Sequence, residues 1–158
     1  MPESIFKQVS LNILRLHQHT IRSLLATQGC GDCEIHEAVY VTLDGRYYVG
    51  LPCMPSESPS DTGILLIEDE ASQARLSWVA RAREIKQKDN LYQRVSSALQ
   101  RRLERNKGKH SHAAPSCLLE LTPQQGRLTT GSKDLSLSPH DLMKALYPAT
   151  HKLGEFAL

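Results

Sequence analysis

Asp44-Gly45 separates two runs of β-branched and aromatic residues. Residues 34–43 contain Ile35, Val39, Tyr40, Val41 and Thr42, and residues 46–51 contain Tyr47, Tyr48 and Val49. A two-residue hairpin loop needs positive φ at both central positions, and Asp-Gly adopts it at little steric cost. The spacing therefore predicts an antiparallel hairpin, which excludes an all-helical chain.

The remaining patterns extend this start. Ile5, Val9, Ile13, Leu14 and Leu16 recur at helical spacing over 5–19, and residues 21–27 read as a first strand closed by Gly29. Residues 55–61 are a polar loop rich in serine and proline. The short apolar run 64–67 suits a strand covered on both faces. Residues 75–85 alternate, with Leu76, Trp78, Ala80 and Ala82 on one face and Arg75, Ser77, Val79, Arg81 and Arg83 on the other. Asp89 caps a helix over Asn90–Arg105 whose buried stripe is Leu91, Val95, Ala98, Leu99 and Leu103. Residues 107–115 form a connection. Strands over 116–121 and 127–130 flank a turn at 123–126, and Ser138-Pro139-His140-Asp141 opens a last helix ending near Tyr147-Pro148. Residues 149–158 form a tail. About six strands in hairpins, with N-terminal, middle and C-terminal helices, predict an α+β fold built on a small antiparallel barrel.

At 158 residues the expectation is a single domain, 1–158. A net charge of +2 argues against nucleic acid, and the basic stretch around Arg101, Arg102 and Arg105 reads as a solvated helix face. No apolar run approaches the roughly 20 residues of a membrane span. Glu3 and the lack of an apolar h-region predict no signal peptide, so a cytoplasmic chain with four reduced cysteines is expected.

Cys30-Gly31-Asp32-Cys33 with His36 has spacing that suits zinc or a redox pair. Cys53 and Cys117 supply no second pair, and the segment lies between strands, so structural cysteines are the favoured reading. His17 and His19 share one helical turn expected to face solvent, as is His140. His110 and His112 bracket Ser111 in a basic connection. His151 stands after the last helix, where a neutral imidazole on a tail can reach a metal. No nucleophile–base set, phosphate-cradling glycine loop or His-Glu-x-x-His occurs.

One succession adds a resemblance. It runs Gly63-Ile64-Leu65-Leu66-Ile67-Glu68-Asp69-Glu70, then Ala74-Arg75-Leu76-Ser77-Trp78-Val79, the helix 90–105, Leu118-Leu119-Glu120-Leu121 with Pro123 and Gly126, and finally His151-Lys152. It resembles the bacterial haem-utilisation proteins of the HutZ/HugZ type, a branch of the pyridoxamine 5'-phosphate oxidase-like, FMN-binding split barrels. The resemblance implies a split-barrel homodimer, with the face of Leu76, Trp78 and Ala80 as candidate dimer surface. It implies haem binding in iron acquisition, with haem breakdown less favoured. His151 falls where such proteins carry the proximal iron ligand. Lys152, and Arg75 or Arg81, are the candidate partners of the haem propionates.

The chain departs from the family in three places. No His-Thr-x-Asn-like phosphate-binding run occupies 52–61, which makes FMN the less favoured cofactor. Ala114-Pro115-Ser116 stands where haem-degrading members carry an acid that supports the ligand histidine. Gly131-Ser132-Lys133 replaces the family's Gly-Phe-Gly. Two alternatives to haem binding follow: a cofactor-free scaffold or interaction protein, and an FMN-dependent oxidoreductase.

Overall fold

A computed structural model describes residues 2–28, 33–51, 62–105 and 117–146. In chain order the elements are α1 (Pro2–His19), β1 (Arg22–Gln28), β2 (Cys33–Leu43), β3 (Arg46–Leu51), β4 (Thr62–Asp69), β5 (Ala74–Ile85), α2 (Asn90–Arg105), β6 (Cys117–Thr130), β7 (Lys133–Leu137) and α3 (Pro139–Leu146). The strands run in the order β3-β2-β1-β4-β5-β6-β7, and β3 also pairs with β6. Six antiparallel strands therefore close a barrel. The seventh, unanticipated strand β7 continues the sheet beyond it.

The closure depends on the length of β6. Its first residues, Cys117–Leu121, pair with β3, and its last, Gly126–Thr130, pair with β7, while β5 follows it on the other edge throughout. A turn at 123–126 was expected here, and the structure corrects it. The pairing steps from Val79↔Gln125 to Ala80↔Pro123, so Gln124 is the extra residue of a β-bulge within one continuous strand. Pro123 has no N–H to offer a ladder, and a bulge removes that demand without reversing the chain. Gly126 is required for a different reason. A Cβ there would lie 2.6 Å from carbons of the Trp78 ring packed across it.

The Asp44-Gly45 hairpin forms as expected, with φ of 54° and 78° at the two positions. In β5 the alternation is also borne out: Leu76, Trp78 and Ala80 are fully buried within the barrel. This overturns their assignment as dimer surface, because the barrel's own core consumes that face. β4 is covered on one face only. Leu65 and Ile67 are buried, whereas Ile64 is 49% exposed, so an apolar run here marks an uncovered outer face.

α1 and α3 pack together at one end of the barrel and contribute Ile13, Leu16, Leu142 and Ala145 to its core. α3 starts as expected. Ser138 Oγ accepts from the Asp141 amide at 3.3 Å, and the Asp141 carboxylate accepts from the Ser138 amide at 2.9 Å. α2 lies outside the barrel, with Val95 and Leu99 packed on Tyr48, Ile85 and Leu118 and bordered by Val39, Val41 and Leu43. Among the described residues no helix is long and apolar enough to cross a membrane.

Candidate cofactor-binding face

α2 covers only part of the barrel's outer wall. Among the described residues the outer face of β2, β1, β4 and β5 is left partly exposed, and the register places its side chains in rows. One row runs Ile35–Ala26–Ile64–Val79, and the next runs Glu37–Leu24–Leu66–Ser77. Within them Ile35 is 70%, Ile64 49%, Leu24 38% and Val79 37% exposed. Strands lie about 4.8 Å apart, so the register lines these side chains up across neighbouring strands, with Ala26 between Ile35 and Ile64, as one apolar island of the sheet. Contiguous apolar surface with a polar border marks a binding face.

The border is charged. Beyond one side of the island lie Arg22, Glu68 and Arg75, with Arg75 paired to Glu68 at 3.5 Å. Beyond the other lies Arg81, exposed and opposite Thr62 and Thr122. Arg75 and Arg81 point outward from one strand six positions apart, about 20 Å at the usual strand rise. The structure thus places both on the island's border, at opposite ends. One anionic group cannot engage them together.

The polar groups inside the barrel wall are satisfied by one another. His17 was expected in solvent, but it is only 5% exposed. Position 17 follows Ile13 by four residues, so it belongs to the buried stripe of α1. Its Nδ1–H donates to the Ile13 carbonyl at 2.7 Å. Nε2 therefore accepts, and the Tyr47 hydroxyl donates to it at 2.8 Å while receiving the Trp78 Nε1–H, also at 2.8 Å. Burial holds the imidazole down at about 4, opposed by the Ile13 bond and reinforced by the Arg102 charge. Arg102 reaches from α2 to the carbonyls of His17 and Thr20 and lies over the Tyr40 ring, 4.9 Å from its centre. A guanidinium there suits the negative end of the α1 dipole.

Glu120 is a buried carboxylate that sequence reasoning missed. It is 6% exposed, accepts from the Tyr48 hydroxyl at 3.0 Å and from Arg83 at 3.2 Å, and has Arg46 at 3.8 Å. The only signal was its register, which sets it between Tyr48 of β3 and Arg83 of β5. Burial, then the bond to Glu120, raises the Tyr48 pKa, and Glu120 raises that of Arg83. A cleft of about 450 Å³ beside α2 is lined by Lys86, Lys88, Tyr92 and Cys117. Burial pushes the Cys117 thiol up, which disfavours a reactive thiolate there.

His151, the expected iron ligand, and Lys152, His110, His112, Cys30 and Cys53 lie outside the described residues. Cys33 and His36 are both in β2 at an odd spacing, which puts these two on opposite faces and counts against the less favoured metal or redox reading. His36 instead meets Glu34 of its own face at 3.2 Å. Among the described residues no three His, Cys, Asp or Glu side chains converge on a metal-sized site. His19 and His140 are exposed, as expected.

A closed six-stranded antiparallel barrel with these helices is the split-barrel architecture of the HutZ-type and pyridoxamine 5'-phosphate oxidase-like proteins. The haem storage protein HutZ of Vibrio cholerae superposes with a TM-score of 0.59 at 21% identity, over 75% of this chain and 91% of that one. Campylobacter jejuni ChuZ superposes at 0.65 and 13% identity, over 88% of this chain and 61% of its own. A protein of the pyridoxinephosphate oxidase family from Clostridium acetobutylicum, related to general stress protein 26, gives 0.60 at 13% identity, over 85% and 97%. No family model and no curated protein sequence matches the chain.

Proposed function

We propose that this protein binds haem on the outer face of β2, β1, β4 and β5, and that a second copy of the chain closes over it. The observation that carries this reading is the exposed island of Ile35, Leu24, Ile64 and Val79 with an arginine at each end. Haem has an apolar macrocycle and anionic propionates, so apolar side chains bordered by guanidinium groups fit both parts. Arg81 forms no ion pair among the described residues, whereas Arg75 is shared with Glu68, which makes Arg81 the first choice for a propionate. His151 would hold the iron, and Lys152, next in sequence, would join in pairing with the propionates. The haem-related names of fold neighbours such as HutZ lend support in kind.

Haem bound in this way supplies a ligand-binding iron. The residues themselves orient the macrocycle, neutralise the propionates and exclude water from one side. No acid stands at 114–116 to strengthen the imidazole, so carriage in iron acquisition, inside the cytoplasm, is the favoured role over breakdown.

The test is a haemin titration of the purified protein followed by absorption, with a parallel FMN titration and light scattering. The expected outcome is a Soret shift saturating at one haem per chain and a dimer mass. His151→Ala should remove the ligated Soret band with the far-UV spectrum unchanged, and Arg81→Ala should weaken saturation. No Soret shift overturns the reading in favour of the cofactor-free scaffold, and flavin bands overturn it in favour of the oxidoreductase.

A further inference from the structure

We propose that Tyr47 is a redox-active tyrosine, which gives an electron through Trp78 to a one-electron oxidant at the barrel surface while its phenolic proton moves to Nε2 of His17. The proposal rests on geometry inside the barrel and is independent of any cofactor on the outer face.

A phenol is hard to oxidise unless its proton leaves with the electron, so a redox tyrosine needs a base on its hydroxyl. Tyr47 has one. Its hydroxyl lies 2.8 Å from His17 Nε2, and the Nδ1–H bond to the Ile13 carbonyl fixes the tautomer in which Nε2 accepts. After transfer, His17 keeps its Nδ1–H bond, and the new Nε2–H points back at the phenoxyl oxygen. The Trp78 indole N–H already donates to that oxygen at 2.8 Å. The radical oxygen would thus hold two donors, in a pocket where Tyr47 and Trp78 are fully buried. Water cannot carry the proton away, and reduction returns it.

The electron has a path. The Tyr47 and Trp78 rings lie 6.3 Å apart by their centres, and Trp78 belongs to β5, whose next residue, Val79, is on the open outer face. For an organic peroxyl radical as oxidant the balance is simple. The peroxyl takes one electron from the Tyr47–Trp78 pair and one proton from solvent to become a hydroperoxide. Tyr47 becomes a neutral phenoxyl radical, and His17 becomes an imidazolium with the proton that Tyr47 lost.

The other tyrosines near these groups are less suited. The Tyr40 hydroxyl bonds Thr20 Oγ, which itself donates to the Leu16 carbonyl and is no base, and the Arg102 cation over its ring opposes loss of an electron. Tyr48 donates to Glu120, a carboxylate whose charge is already spent on Arg83 and Arg46.

The experiment is laser flash oxidation of the full chain by a photogenerated ruthenium(III) polypyridine complex, with freeze-trapping and electron paramagnetic resonance. Incorporating 3-fluorotyrosine at position 47 preserves the side-chain shape and adds a fluorine splitting to any radical there. The expected result is a trapped tyrosyl signal that carries this splitting, vanishes in Tyr47→Phe and survives in Tyr92→Phe. In His17→Gln the amide can still accept from the Tyr47 hydroxyl but cannot take up its proton, and the signal should decay roughly tenfold faster, the factor that corresponds to about 1.4 kcal/mol less stabilisation of the proton-transferred pair. A tyrosyl signal without the fluorine splitting places the radical elsewhere and overturns the proposal. So does trapping of a tryptophan radical alone, or no trapped radical.

Discussion

Acid should weaken this fold through His17, and the size of the effect follows from its surroundings. The imidazole is held neutral, at about 4 against an ordinary value of 6.5, by burial on the inward-facing stripe of α1. Above 6.5 neither the folded nor the unfolded chain carries a proton on it, and its contribution to stability is complete. As pH falls through 6.5 the unfolded chain takes up the proton and the folded chain does not, so the unfolded state gains. The loss accumulates down to about 4, where the folded chain protonates too. At 1.36 kcal/mol per pH unit this window amounts to about 3 kcal/mol. That is a large share of the roughly 5–15 kcal/mol typical of a domain.

The assay is urea unfolding followed by tryptophan fluorescence at a series of pH values across that window. Trp78, the chain's one tryptophan, is hydrogen-bonded to the partner of His17 and so reports on the site directly. His17→Gln keeps an acceptor for the Tyr47 hydroxyl but cannot titrate. It should cost about 1 kcal/mol at neutral pH through poorer geometry, then converge on or overtake the parent in acid. Subtracting the two curves removes contributions common to both proteins. Parallel curves would refute the reasoning, because the acid sensitivity would then originate elsewhere.

Three further outcomes are expected. Gly126→Ala forces a Cβ into carbons of the Trp78 ring, a rigid neighbour, and should cost about 1–3 kcal/mol with a shifted tryptophan emission maximum. Glu120→Ala strands the Tyr48 hydroxyl and should lower stability by about 1–2 kcal/mol in the same assay, most of it from that bond, because Arg83 is largely exposed and screened. Ile64→Glu on the exposed face should leave the stability within about 0.5 kcal/mol of the parent yet abolish the proposed dimer and the proposed haemin-induced Soret shift. A variant that unfolds instead would show that this face is structural.

Local rules governed the parts of the fold that were legible beforehand. The Asp-Gly turn, the α2 stripe, the Ser138–Asp141 cap and the β5 alternation each depend on residues close in sequence. The misread parts depend on partners far along the chain. Pro123 and Gly126 have the composition of a turn, and only pairing with β5 turns them into a bulge and a seat for Trp78. β7 was missed although Gly131 and the alternating Leu135 and Leu137 carry a hairpin signal. His17 was placed in water because its type outweighed its spacing; its position four residues after Ile13 was the better guide. Arg75 and Arg81 were legible as outward-facing, whereas the apolar island between them emerges only when Ile35, Ile64 and Val79 are brought into one row from three strands.

β5 shows why the two faces of this barrel have different fates. Its inward residues, Leu76, Trp78 and Ala80, are consumed by the core, and Trp78 anchors the hydrogen-bonded chain to Tyr47 and His17. Its outward residues, Arg75, Val79 and Arg81, take no part in that core and are exposed among the described residues. A one-residue slip would exchange the sets, setting arginines in the barrel and the indole in water. Several kcal/mol of unpaired buried charge stand against it, so the register that builds the core also fixes where the cations stand. A binding face on β5 thus inherits its precision from the packing beneath it.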